Sequence, residues 1–230
     1  MTHEDSVLPP LGFRQRGPEP IGTRLLLVRH GESFANALGL AGGHKGDGGL
    51  TPTGIAQAQA LRGRLESSRE LMDAQAFYTS TMPRAIETGE IIASGLPEGL
   101  TPIRDPEICE LSVGEGDGLS WGEFVARYGE TDWDKDPHQI CAPGGESLMS
   151  FYERSTRALR RIIAAHPGQL VVLVVHGGFI EQALKLHYGL EGHVRLRPRT
   201  LNCSMTEIEF APDYSRLLRY NDVVPLPALK

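Results

Sequence analysis

Two short apolar runs constrain this chain more than anything else in it, because each ends abruptly on a histidine followed by glycine. Arg24-Leu-Leu-Leu-Val28 stops at Arg29-His30-Gly31, and Leu170–Val175 stops at His176-Gly177-Gly178. Uninterrupted β-branched and leucine runs of this length, bounded by turn residues, predict strands buried on both faces, as in a parallel sheet. A third run, 76–79, ends on Ser80 and leads through Thr81-Met-Pro-Arg84. Between these runs lie helical patterns. One is opened by Thr51-Pro52 and carries Ile55, Ala58, Leu61 and Leu65, and one starts at Thr81 with Ile86, Glu90 and Ile91. The longest runs from Glu146 to Ala165, and another begins at Gly178 directly after the histidine.

Strand alternating with helix predicts an α/β fold, a three-layer α/β/α sandwich around a mostly parallel sheet. In such sheets ligands sit beyond the carboxyl ends of the strands. The three runs deliver their polar residues to that edge. Two closing strands are expected over Thr200–Phe210 and Leu217–Val223, and a short helix over Trp121–Tyr128 within the loop-rich stretch 97–143. Residues 1–20, with four prolines among charges and glycines, read as a flexible N-terminal arm, and 21–230 as one catalytic-sized domain.

Composition narrows the function classes. The formal charge is −6 and 40% of residues are apolar, so the chain provides no overall field for nucleic acid and no run long enough to span a bilayer. The three cysteines, Cys109, Cys141 and Cys203, are far apart and odd in number. They argue against a disulfide framework or a cysteine zinc site, and a reducing, cytoplasmic setting is expected.

Each candidate has a mundane reading. A lone histidine at a strand end often packs against a carbonyl, and Arg84 alone is an ordinary helix arginine. The repeated design changes this. Two histidines at two strand ends, each followed by glycine, suggest one shared pocket, and the free N–H groups opening the helix after His176 suit an anion. Arg29 and Arg84 supply the fixed charge to grip a phosphate through forked hydrogen bonds. A metal would need a third ligand and would be repelled by Arg29, so no metal and no cofactor are expected. Glu110, a carboxylate among apolar neighbours in Ile108-Cys-Glu-Leu111, is a candidate proton donor. Ser33 can cap a short helix. The loop 39–49 holds six glycines and reads as mobile, with His44 and Lys45 its only basic groups, either solvated loop residues, the favoured reading, or contacts to a second acidic group on a ligand. Trp121 is a further candidate contact outside the phosphate pocket, with core packing the favoured reading.

These residues fall in a pattern that resembles the histidine phosphatase superfamily, which includes cofactor-dependent phosphoglycerate mutases and broad-specificity phosphatases. The resemblance runs from about Arg24 to about Thr206. It is carried by Leu27-Val-Arg-His-Gly-Glu-Ser33 with Asn36, by Leu50-Thr51 with Gly54 and Gln57-Ala58, and by Thr79-Ser80 through Arg84-Ala85 and Glu87-Thr88. Further blocks are Glu110-Leu111 with Gly114 and Gly118-Leu119, Pro143-Gly-Gly-Glu-Ser147, and Val175-His-Gly-Gly178. It implies a phosphoglycerate mutase-like fold. His30 would be the nucleophile, with Arg29, Arg84 and His176 on the phosphate oxygens, helped by Asn36, Ser33 and the Gly177 N–H. Glu110 would serve as general acid and base. The partner implied is a small phosphorylated metabolite, with a homodimer possible for the family.

Only 32 residues separate Glu110 from Pro143, whereas the family's mutases carry a much longer insertion there. That favours a phosphatase. A cofactor-dependent mutase and a non-catalytic phospholigand-binding domain on the same fold are the alternatives. The sequence also departs from the family at Gly116-Asp117, where an aromatic and Glu are common, and at Gly49, where proline is frequent. The first departure is expected to loosen the rim near Glu110.

Overall fold

The computed structural model describes residues 22–224, so the arm expected at 1–20 lies outside the described residues. Six strands form one sheet in the order β3-β2-β4-β1-β5-β6. They are β1 (Thr23–Arg29), β2 (Ala74–Ser80), β3 (Ile103–Asp105), β4 (Leu170–Val175), β5 (Met205–Phe210) and β6 (Ser215–Asp222). β1, β2, β3 and β4 run parallel, whereas β5 is antiparallel to β1 and β6 to β5.

Alternation along the buried strands builds the layers. Leu25 and Leu27 of β1, with Val171, Leu173 and Val175 of β4, face one side. There they meet α5 (Leu148–Ala165) through Ala158, Leu159 and Ile162, and α6 (Gly177–Tyr188) through Phe179, Ile180 and Ala183. Leu26, Val28, Val172 and Val174 face the other side, against Ala58, Leu61 and Leu65 of α2 (Pro52–Ser68) and Ala85 and Ile92 of α3 (Pro83–Ile92). A smaller core gathers Ala41, Val113, Phe124, Cys141 and Ala142 beneath α4 (Trp121–Tyr128). The expected three-layer architecture is the one observed.

Boundaries shifted where capping or turn geometry decided them. The long helix starts at Leu148 rather than Glu146 because the Ser147 hydroxyl accepts the Ser150 N–H as its N-cap, which frees Glu146 for a different task. β5 starts at Met205 rather than Thr200. Residues 200–204 instead make a turn in which Cys203 takes a φ of 54° and gives its N–H to the Arg29 carbonyl. β3 was not legible, being three residues with its first two exposed. The three cysteines are buried and free, and among the described residues no helix is long and apolar enough to cross a membrane.

One close backbone approach sets the exit of β1. A Cβ on Gly54, in the first turn of α2, would lie 2.0 Å from the Glu32 carbonyl oxygen, and a Cβ on Gly31 would lie 2.6 Å from the Gly54 carbonyl oxygen. The loop carrying His30 therefore rides directly on the α2 backbone. Gly63, later in the same helix, has nothing within 4 Å of its virtual Cβ. Gly54→Ala is expected to destabilise the fold by about 1–3 kcal/mol through overpacking, and Gly63→Ala to stabilise it by about 0.4–1 kcal/mol. Urea midpoints for the pair check this, and two shifts of the same sign would contradict it.

Candidate active site

The carboxyl ends of β1, β2 and β4 converge as the alternation requires. His30 leaves β1, Ser80 ends β2 and His176 leaves β4, all three buried. The imidazole rings of His30 and His176 lie 5.0 Å apart, centroid to centroid. Between them reaches Arg84 from the first turn of α3. Its Nε–H points at His30 Nε2 (3.1 Å) and at His176 Nδ1 (3.3 Å).

The hydrogen bonds assign the ring nitrogens. His30 Nδ1 lies 2.7 Å from its neighbour's carbonyl, Gly31 O, which can only accept, so Nδ1 carries the proton. Nε2, facing Arg84, is left with its lone pair turned into the cavity. His176 presents Nδ1 to Arg84 as an acceptor and places Nε2–H 2.7 Å from Ser80 Oγ, which also accepts the Met82 N–H at 3.3 Å. Burial, then the neighbouring Arg84 and Arg29 charges, hold His30 well below the ordinary imidazole pKa. The same burial and Arg84 do so for His176. Both rings are neutral at pH 7 by the same cause: a second positive charge in a dry site is unfavourable.

Arg84 is itself fixed from behind. Its Nη1 donates to Asp47 Oδ2 (2.9 Å) and to the Gly42 carbonyl (3.2 Å), and the Asp47 carboxylate is fully buried. Asp47 went unremarked in the sequence because it sits inside the glycine-rich loop, where no periodicity singles it out. A carboxylate alone among glycines that lead back to an arginine-bearing pocket was the available signal. Arg29 lies on the other side, its Nη1 tied to the Thr200 carbonyl at 2.6 Å. Its buried Nε has no protein partner, and an anion in the cavity would supply one.

Glu110 is positioned by backbone donors. Its carboxylate accepts the Gly178 N–H at 2.9 Å and the Leu111 N–H at 3.0 Å. The segment bearing it is strapped by Arg154 of α5, which sequence reasoning missed. That guanidinium donates to the carbonyls of Glu107 (2.7 Å), Cys109 (3.1 Å) and Glu110 (3.1 Å). It also holds the Glu146 carboxylate through two bonds of 2.7 Å, and Glu146 in turn accepts the Ser112 N–H at 2.8 Å.

A cavity of about 500 Å³ gathers Arg29, His30, Arg84, Glu110 and Gly177, with Asn36 at its wall. Asn202 joins it, its amide N–H donating to the His30 carbonyl at 2.9 Å. Other expected site residues lie apart. Ser33 is buried, and its hydroxyl accepts the Asn36 N–H in the capping box of α1 (Phe34–Leu38). His44 donates to or accepts from Thr81 Oγ1 at 3.0 Å and faces a neighbouring cavity of about 270 Å³. Lys45 lines neither cavity. Trp121 is 52% exposed rather than core and stands at the wall of the larger cavity.

The two departures from the family pattern have structural reasons. Asp117 accepts three backbone N–H bonds of 2.8 Å, from Gly43, Lys45 and Gly46. Instead of loosening the rim, it ties the glycine-rich loop to the Glu110 side, and a Cβ on Gly43 would lie 2.5 Å from its carboxylate. Gly49 has a φ of 77°, which proline's ring forbids. A Cβ there would meet Glu87 at 2.3 Å, whose carboxylate accepts the Leu50 N–H.

Two buried histidines with Arg84 between their rings, beside a cavity lined by Arg29, His30, Arg84, Glu110 and Gly177, form an arrangement suited to a small anion. The sequence profile of the histidine phosphatase superfamily (branch 1) matches residues 25–223. The chain belongs to that superfamily and to its phosphoric monoester hydrolases. It is 34% identical over 163 residues to the metal-independent phosphoserine phosphatase of Arabidopsis thaliana, covering 69% of this chain and 66% of that one. It is 35% identical over 159 residues to phosphoglycerate mutase-like protein 4 of the same plant, covering 68% and 67%. The match thus spans about two thirds of the length of either relative. YhfR of Bacillus stearothermophilus superposes with a TM-score of 0.73 at 28% identity, over 88% of this chain and 98% of that one.

The depressed basicity of His30 is directly measurable. In the free protein its Cε1–H resonance is expected not to titrate between pH 6 and 8. A midpoint near the ordinary value of about 6.5 would contradict the desolvated, arginine-flanked placement.

Proposed function

We propose that this chain is a metal-independent phosphatase of small phosphate monoesters working through a phosphohistidine on His30. The observation carrying the reading is the Arg84 Nε–H directed at both His30 Nε2 and His176 Nδ1. It brings the Arg84 guanidinium and the unprotonated Nε2 of His30 to one point, where an entering phosphate would take the Arg84 N–H and release the His30 lone pair for attack.

In the first step His30 Nε2 attacks phosphorus opposite the ester oxygen. The P–N bond forms, the P–O bond breaks, and Glu110 gives its proton to the departing alkoxide. The equatorial oxygens gather charge in the transition state, where Arg29, Arg84 and the Gly177 N–H hold them, while neutral His176 accepts the Arg84 Nε–H and keeps that guanidinium in place. In the second step Glu110, now a carboxylate, takes a proton from water as that water attacks phosphorus. The P–N bond breaks, inorganic phosphate leaves, and His30 is again neutral with Nδ1–H on Gly31. The Gly31 carbonyl steadies the imidazolium that forms between the steps.

Hydrolysis rather than phosphoryl return to a product is supported by the short cover. The 32 residues after Glu110 fold locally around Phe124 and Val113 and leave little chain to enclose a retained bisphosphate.

Wild-type protein in excess EDTA is expected to hydrolyse an aryl phosphate, and His30→Ala to lose that activity with an unchanged circular dichroism spectrum. Turnover by the variant, or interconversion of 2- and 3-phosphoglycerate that exceeds hydrolysis once primed with bisphosphoglycerate, would overturn the reading. A second test addresses the strap behind Glu110. Arg154→Lys keeps the charge but not the fork, and is expected to cut turnover of alkyl phosphates on the order of 10–100-fold. Aryl phosphates with acidic leaving groups, which need little proton donation, should lose much less. Equal losses on both would assign Arg154 to folding alone.

A further inference from the structure

Beyond the phosphate end, the larger cavity has a character that the family resemblance does not specify. Its remaining wall is made of Leu40, Leu111, Val113, Trp121 and Trp133, with Asn36 at the edge. The indoles are held in place. Trp133 Nε1–H donates to the Gln139 carbonyl at 2.8 Å, and the Trp121 ring leans on Phe124 at 5.4 Å. Among the described residues the charged groups lining this cavity are Arg29, Arg84, Glu32 and Glu110. The two arginines match the two negative charges of a phosphate monoester, so no cation is left over for a second anion. The remaining charged groups of the lining, Glu32 and Glu110, are acidic. Of the nearby cations, His44 faces the neighbouring cavity, and Arg195, whose guanidinium stands 5.6 Å over the Trp133 ring, has its charge paired with Asp134 at 3.6 Å.

We infer that the substrates are phosphate monoesters of uncharged, apolar alcohols, bound with the alkyl or aryl group between Trp121 and Trp133, and that carboxylated esters such as phosphoglycerate or phosphoserine are disfavoured. The inference rests on the phosphatase reading for turnover but not for binding. Apolar groups transferred from water to this wall gain with each methylene they bury, whereas a second carboxylate gains nothing and faces like charge.

Trp121 and Trp133 are the chain's two tryptophans, so intrinsic fluorescence reports on this wall without a label. Titrating the full chain with ethyl-, butyl- and hexylphosphonate is expected to quench or shift that fluorescence. Affinity should rise about two- to fourfold per added methylene. 3-Phosphonopropionate should bind at least tenfold more weakly than butylphosphonate. Trp133→Ala and Trp121→Ala, read by calorimetry, should flatten the dependence on chain length, losing more on hexyl than on ethyl. Steady-state kcat/KM for the matching alkyl phosphates should follow the same order, with 3-phosphoglycerate and phosphoserine below hexyl phosphate. Affinity independent of chain length, or tighter binding of the carboxylated phosphonate, would overturn the assignment. Graded binding with no turnover of any ester would uphold the subsite and remove the phosphatase reading instead.

Discussion

Everything at this site depends on how one buried guanidinium is held. Arg84 has Asp47 and a carbonyl behind it and two imidazoles in front. A buried charge stripped of its partner costs far more than one whose partner and hydrogen bonds are supplied. Asp47 therefore allows Arg84 to remain charged in a dry pocket. Arg84 in turn makes protonation of His30 and His176 unfavourable, and its Nε–H rests on the unprotonated nitrogens of both. The neutral state and the fixed geometry of the two rings both derive from that single arrangement. The chain's −6 charge is no obstacle, because the clamp acts over a few ångströms and the acidic surface is screened.

The acid side of the site is built on a second, separate framework. Glu110 belongs to an irregular segment, and irregular backbone holds a catalytic group accurately only when something rigid ties it down. Arg154 does so from the long helix α5, gripping the carbonyls of Glu107, Cys109 and Glu110 and the Glu146 carboxylate. Asp117 then joins this segment to the glycine-rich loop that carries Asp47. The two frameworks, one for the nucleophile and one for the acid, thereby meet across the cavity through backbone hydrogen bonds.

What the sequence made legible follows from where each signal came from. Strands β1 and β4 were plain because both of their faces are buried, and His30 and His176 stood out by ending them. Trp121–Tyr128 could be bounded as a helix because Ser120 and Glu123 form its capping box. The support residues were not legible. Asp47, Arg154 and Asn202 act on groups brought near by tertiary packing, which no local spacing announces, and Glu146, though inside the Pro143–Ser147 motif, gave no sign of its pairing with Arg154. Trp121 was misread as core because an aromatic at helical spacing ordinarily is, and only the placement of α4 at the cavity mouth exposes it. Gly116-Asp117 looked like a loosened rim because the hydrogen-bonding partners of Asp117 lie about 70 residues upstream.

In the proposed mechanism His30 Nε2 forms a bond to phosphorus during turnover. Rapid mixing with a reactive aryl phosphate, quenched in base to preserve acid-labile phosphohistidine and mapped by tandem mass spectrometry, reads that bond out. A transient phosphoryl group is expected on the peptide carrying His30, localised to that imidazole and absent after turnover is complete. A phosphoryl group on His176 or another side chain, or hydrolysis with no phosphoenzyme at any time, would contradict it.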